Sequence, residues 1–98
     1  MAVGVLLMNP GGTREQYDEV SRTMFPEGVT QNSPEGLIIH TAGPAEDGWY
    51  VYDVWESKEA YERFERERLA SAIEQVSGGQ MSPQPQFFEI ESMIHPGA

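Results

Sequence analysis

The chain of 98 residues carries sixteen acidic side chains against six basic ones, a net charge of −10, and has no cysteine. The acidity excludes nucleic acid and an anionic membrane surface as partners, since both require a cationic patch; the lack of cysteine removes disulfides and thiolate chemistry. A single domain over residues 1–98 is implied, with a core small enough that self-association is the common remaining route to stability. Residues 2–8 form a short apolar run that stops at Asn9-Pro10-Gly11-Gly12, which predicts a strand and then a turn. The run has no basic flank and is too short for a signal peptide, and nothing in the chain approaches the roughly 20 apolar residues that span a bilayer, so a cytoplasmic protein is expected. Thr13 and Gln16 form the T-x-x-Q pattern of a reciprocal helix cap, and Tyr17, Val20, Met24 and Phe25 follow at helical spacing before Pro26 and Gly28.

After a polar connection over residues 26–36, residues 37–42 predict a second strand, residues 43–48 a turn and residues 49–55 a third strand. Two strands so close in sequence must be antiparallel neighbours. Ser57 caps a second helix, whose apolar stripe of Tyr61, Phe64, Leu69, Ala72, Ile73 and Val76 is ended by Gly78-Gly79. Residues 87–94 predict the last strand. The order βαββαβ is the ferredoxin-like α+β arrangement, a four-stranded antiparallel sheet with both helices on one face. In the third strand Trp49, Val51, Asp53 and Trp55 share one face while Tyr50, Tyr52 and Val54 share the other, so the strand is hydrophobic on both sides. A face open to water should be polar. The bare sheet face is therefore expected to pack on a second copy in a symmetric homodimer.

The block L-I-I-H-T-A-G-P, followed by G-W-Y-V-Y-D-V-W-E-S-K-E-A-Y-E-R-F, resembles the dimeric α+β barrel superfamily and, within it, the small antibiotic-biosynthesis-monooxygenase-like proteins. The junction Asp53-Val54-Trp55-Glu56-Ser57, with Ala60, Tyr61 and Phe64 on the next helix, carries the likeness, which extends over nearly the whole chain. The resemblance implies a dimeric barrel and a range of activities: cofactor-free monooxygenases of polycyclic phenols, haem-degrading enzymes and isomerases. In the haem-degrading branch an Asn near the end of strand one and a Trp at the end of strand three flank the haem, and a His on the second helix ligates it. Asn9 and Trp55 match that pattern, but the two histidines are His40 and His95 and neither lies on the second helix. No cofactor is expected, and no metal-binding cluster of His and carboxylates stands out.

Cofactor-free oxygenation asks less of the protein. A phenolic substrate, once deprotonated, reduces oxygen itself, so the protein supplies a pocket, a polar group for the carbonyl or phenolate, and dryness. Asn9, His40, Asp53 and Trp55 are the candidate catalytic residues, with Tyr17, Trp49, Tyr61 and Arg68 as candidate substrate-binding residues. Simpler readings exist for each: the aromatics as core, and Asn9 as a turn residue. By helical angle Arg68 falls inside the apolar stripe, so either its stem lies along the core with its head at water or a carboxylate, or it lines a pocket for an anionic oxygen. His40 and Asp53 sit on adjacent strands and, depending on register, share a face, where a carboxylate beside an imidazole can act as a general base. The expected function is a cofactor-independent monooxygenase-like enzyme for an aromatic or polyketide-like molecule. The alternative is a non-catalytic homodimer that binds a small hydrophobic ligand or serves as an assembly module. A polar-lined cavity of roughly 300 Å³ or more between the second helix and the sheet favours the first; an interface filled to native density favours the second.

Overall fold

A computed structural model describes residues 1–28, 32–81, 83–94 and 96. Its elements run β1 (Val3–Pro10), α1 (Arg14–Met24), β2 (Leu37–Ala45), β3 (Gly48–Trp55), α2 (Lys58–Phe64), a π-helical turn (Glu65–Leu69), α3 (Ala70–Ser77) and β4 (Gln84–Glu89). The four strands form one antiparallel sheet in the order β2-β3-β1-β4, the ferredoxin-like topology. The helices are where the caps put them. Thr13 Oγ1 accepts from the Gln16 N–H at 3.2 Å while Gln16 Oε1 accepts from the Thr13 N–H at 3.2 Å, closing both ends of the box. Ser57 Oγ accepts from the Ala60 N–H at 3.1 Å, and Gly78 ends α3 in the left-handed region at φ 63°.

Strand β1 runs on through Asn9 to Pro10 instead of stopping at Met8; three further sequence expectations need correction, and two share a cause. Strand β2 does not stop at Ala42 but continues through Gly43 and Pro44 to Ala45, leaving only Glu46 and Asp47 between it and β3. Strand β4 begins at Gln84 rather than Phe87, running through Pro85, and ends at Glu89 rather than Ile94. Pro44 and Pro85 read as strand breakers, yet both lie on the outer strands of the sheet, where a missing N–H costs no ladder bond. The third correction concerns the second helix, which is not uniformly α: the Ala70 N–H reaches back five residues to the Glu65 carbonyl. This π turn inserts an extra residue and rotates the later turns of the helix against the earlier ones.

The core lies between helices and sheet. Val3, Val5 and Leu7 of β1 meet Val20 of α1, Trp55 of β3, Tyr61, Leu69 and Ala72. Trp55 and Tyr61 are almost wholly enclosed and meet edge to face at 5.8 Å; Phe64 and Phe87 extend the cluster at 5.2 Å from Trp55 and 5.7 Å from Tyr61. The opposite sheet face has no helix over it, and there Ile39 and Phe88 remain 52% and 46% exposed. Among the described residues, no helix is long and apolar enough to cross a membrane.

Candidate functional site

Strand register decides the site. His40 of β2 stands directly opposite Asp53 of β3. The register shifts between Leu37 and Ile39, a bulge that sets one extra residue on β2. Leu37 pairs with Trp55 and His40 with Asp53, so two residues three apart both face the helices, which an unbroken strand forbids. His40 Nδ1 lies 2.7 Å from Asp53 Oδ1. The second carboxylate oxygen, Oδ2, accepts the Trp55 indole N–H at 3.2 Å. Asp53 is 6% exposed and is the one buried charged residue among those described. Two donors hold it there, which is how a buried carboxylate is tolerated.

Helix α1 completes the chain of contacts. The Tyr17 hydroxyl bonds to His40 Nε2, so both ring nitrogens of His40 are engaged. The Tyr17 ring is stacked on the imidazole at 5.9 Å and leans on Trp49 at 5.5 Å. Burial pushes the Tyr17 phenol above its ordinary pKa, and the negative charges of Asp53 and Asp18 push the same way. Tyr61 is raised further, first by burial and then by Glu65, whose Oε2 accepts its hydroxyl at 3.3 Å.

These residues edge a cavity of about 110 Å³ between α1, α2 and the sheet. Asn9, Tyr17, His40, Trp49 and Asp53 supply its polar side, and Leu7, Val20, Leu37, Phe64, Leu69 and Ile73 much of the apolar remainder. Of the eight sequence candidates, Asn9, Tyr17, His40, Trp49, Asp53, Trp55 and Tyr61 all line it. Arg68 does not. It is carried by the π turn, lies over the Phe25 ring at 5.5 Å, and donates to the Asn32 carbonyl oxygen at 2.8 Å. A second, more open groove of about 250 Å³ shares Leu7, Tyr61, Leu69, Ile73, Met81 and Pro83 with the first. His95 lies outside the described residues. Among the described residues no group of three or more His, Asp or Glu is placed to hold a metal ion.

Trp49 is among the sequence candidates, but the state of its indole N–H escapes a reading of the sequence. Its Nε1 is buried without a hydrogen-bond partner among the described residues. Nothing local in the sequence marks it, because it depends on which groups the fold brings near. An unpaired buried donor is costly unless something accepts from it.

Chemically, the arrangement offers a proton acceptor backed by a carboxylate, at the wall of a largely apolar space, with one free donor at the other end of the same strand face. Comparison with known proteins agrees with the architecture. No protein-family model and no curated protein matches the chain by sequence. Solved structures do match. A monooxygenase from the gene ActVA-Orf6 of Streptomyces coelicolor, in complex with the ligand nanaomycin D, is similar at 25% identity and a TM-score of 0.61, over 97% of this chain and 91% of that one. SnoaB, a cofactor-independent oxygenase from Streptomyces nogalater, is similar at 16% identity and a TM-score of 0.56, over 95% of each chain. Rv0793 from Mycobacterium tuberculosis is similar at 10% identity and a TM-score of 0.66, over 97% of this chain and all of the other.

Proposed function

We propose that this chain, which has the ferredoxin-like α+β fold of the antibiotic-biosynthesis-monooxygenase-like proteins in the dimeric α+β barrel superfamily, is a cofactor-independent oxygenase of a small aromatic, polyketide-like molecule. The observation that carries the reading is the hydrogen-bonded series Tyr17–His40–Asp53–Trp55 along one wall of an apolar cavity. Its neighbours in fold include an oxygenase that needs no cofactor and a monooxygenase in complex with nanaomycin D. The chemistry is balanced without a metal or flavin. An anthrone-type substrate loses a proton from its ring methylene, and the resulting anion gives one electron to dioxygen. The radical pair joins through a carbon–oxygen bond, the peroxide anion takes back the first proton, and the hydroperoxide loses hydroxide, which leaves as water with the second methylene proton. One oxygen atom ends in a new carbonyl and the other in water. The Tyr17–His40–Asp53 series takes up the first proton. The unpaired Trp49 N–H and the Asn9 amide, paired across β1 and β3, are the donors for the substrate's carbonyl oxygen.

We place the second copy of the chain on the bare sheet face, where Ile39 and Phe88 are exposed beside Leu6, Met8, Tyr50 and Tyr52. One observation favours a second reading: at about 110 Å³ the cavity is smaller than the roughly 300 Å³ usual for a ligand pocket. On that reading the chain is a non-catalytic homodimer that binds a small ligand. A thermal-shift screen of anthrones, hydroxynaphthalenes and quinones, followed by oxygen uptake on every binder, separates the two. Conversion of an anthrone to its anthraquinone with one dioxygen consumed supports the enzyme. Binding without uptake at enzyme excess leaves the binding module.

A further inference from the structure

We propose that Tyr17, rather than His40, is the group that exchanges a proton with the ligand, with His40 and Asp53 acting behind it; this rests on the oxygenase reading of the same cavity. His40 has no ring nitrogen to spare, since Nδ1 faces Asp53 at 2.7 Å and Nε2 is taken by the Tyr17 hydroxyl. An ionised carboxylate only accepts hydrogen bonds, so Nδ1 carries the imidazole proton and Nε2 offers its lone pair. That tautomer, assigned from the network, makes Tyr17 the donor to Nε2. The phenol oxygen keeps lone pairs of its own, and Tyr17 lines the cavity. Its ring is held between His40 and Trp49, at 5.9 and 5.5 Å, so its position does not depend on the ligand.

The transfer is then a relay. The ligand's acidic C–H or O–H bond breaks as its proton reaches the Tyr17 oxygen, and the phenol's original proton moves to His40 Nε2. The products are the ligand anion and an imidazolium, which the Asp53 carboxylate stabilises while Trp55 N–H pins its other oxygen at 3.2 Å. The reverse relay returns that proton to the peroxide anion, and the same groups then carry the second methylene proton to the departing hydroxide. Burial and the two nearby carboxylates keep the phenol protonated at rest, so it serves as a conduit and not as a standing anion. The rival account is that Tyr17 and His40 merely tie α1 to the outer strand β2.

The test separates proton abstraction from oxygenation. Exchange of the anthrone methylene hydrogens with deuterium oxide is followed under anaerobic conditions, and oxygen uptake is measured apart, for the parent, Tyr17→Phe, His40→Ala and the double variant. Binding of anthraquinone is read by tryptophan quenching. The relay predicts that Tyr17→Phe lowers exchange by about 10²- to 10⁴-fold with anthraquinone affinity unchanged. His40→Ala should fall as far, and the double variant no further, because the two act as a unit. If Tyr17→Phe fails to fold, Tyr17→Leu, which also removes the hydroxyl, carries the same prediction. Undiminished exchange in Tyr17→Phe, losses that multiply in the double variant, or a parent that catalyses no exchange overturns the relay. Exchange that needs Tyr17 without any oxygen uptake leaves the relay standing and removes the oxygenase. Uptake that ignores Tyr17 does the opposite.

Discussion

The two faces of β3 have the same hydrophobic character in sequence but meet different neighbours in the structure. On the helix side, Asp53 and Trp55 are buried and Trp49 and Val51 partly so, and the one buried carboxylate among the described residues is met by an imidazole and an indole N–H. On the other side, Tyr50 and Tyr52 lie across glycines of the neighbouring strands: a Cβ at Gly4 would strike the Tyr52 hydroxyl, and one at Gly43 would crowd the Tyr50 ring at 3.1 Å. The rings fold down to make a broad, shallow surface. A surface of that shape suits a matching sheet, whereas the enclosed side suits a small molecule. One strand thus separates the candidate site from the proposed assembly face by a period of two.

The largest expected effect comes from emptying the covered side. Trp55→Ala removes a fully enclosed ring against Tyr61 and Phe64, and should cost about 3–5 kcal/mol in chemical denaturation, enough to leave much of the chain unfolded. On the bare side, Phe88→Glu should leave the fold intact and dissociate the proposed dimer, because a symmetric interface would receive each new charge twice. Light scattering at micromolar concentration reads this directly, and a parent protein that is already monomeric would erase the contrast between the two faces. Since each copy carries a net charge of −10, the same measurement should show tighter association as salt rises from low to physiological strength.

Smaller effects probe the covered side more finely. Asp53→Asn keeps the shape but strips the charge that faces the His40 ring, and should cost about 1–3 kcal/mol together with the proposed proton transfer. Smallest is the alkaline response of Tyr61. Its folded pKa is raised, by burial first and Glu65 second, so as pH climbs past the ordinary tyrosine value of about 10 the unfolded chain loses this proton while the folded one keeps it. Stability is full below that value and declines above it. Tyr61→Phe should flatten the fall in melting temperature between about pH 9 and 11.

Part of this arrangement is legible in the residues alone. Thr13, Gln16 and Ser57 act through neighbours three residues away, so their caps can be read directly. Pro44 and Pro85 cannot be placed that way, because whether proline breaks a strand depends on which strand is outermost. Arg68 misleads for a related reason: helical angle assumes an unbroken repeat, and the turn over Glu65–Leu69 interrupts it. Asn9, Tyr17, His40 and the other candidates at the cavity reach it because period-two and period-3.6 patterns point side chains at the same interior.

The order of elements, their caps, and a third strand with no polar face to show to water are all written in the chain. Local hydrogen bonds and side-chain periodicity are enough for those. Long-range packing alone brings His40 to Asp53, turns the partly exposed His40 to the helix side through a bulge after Leu37, and lets Tyr17 close the series from a different element. A slip of one residue sends every side chain of a strand to the opposite face, and what prevents the slip is packing across the whole sheet.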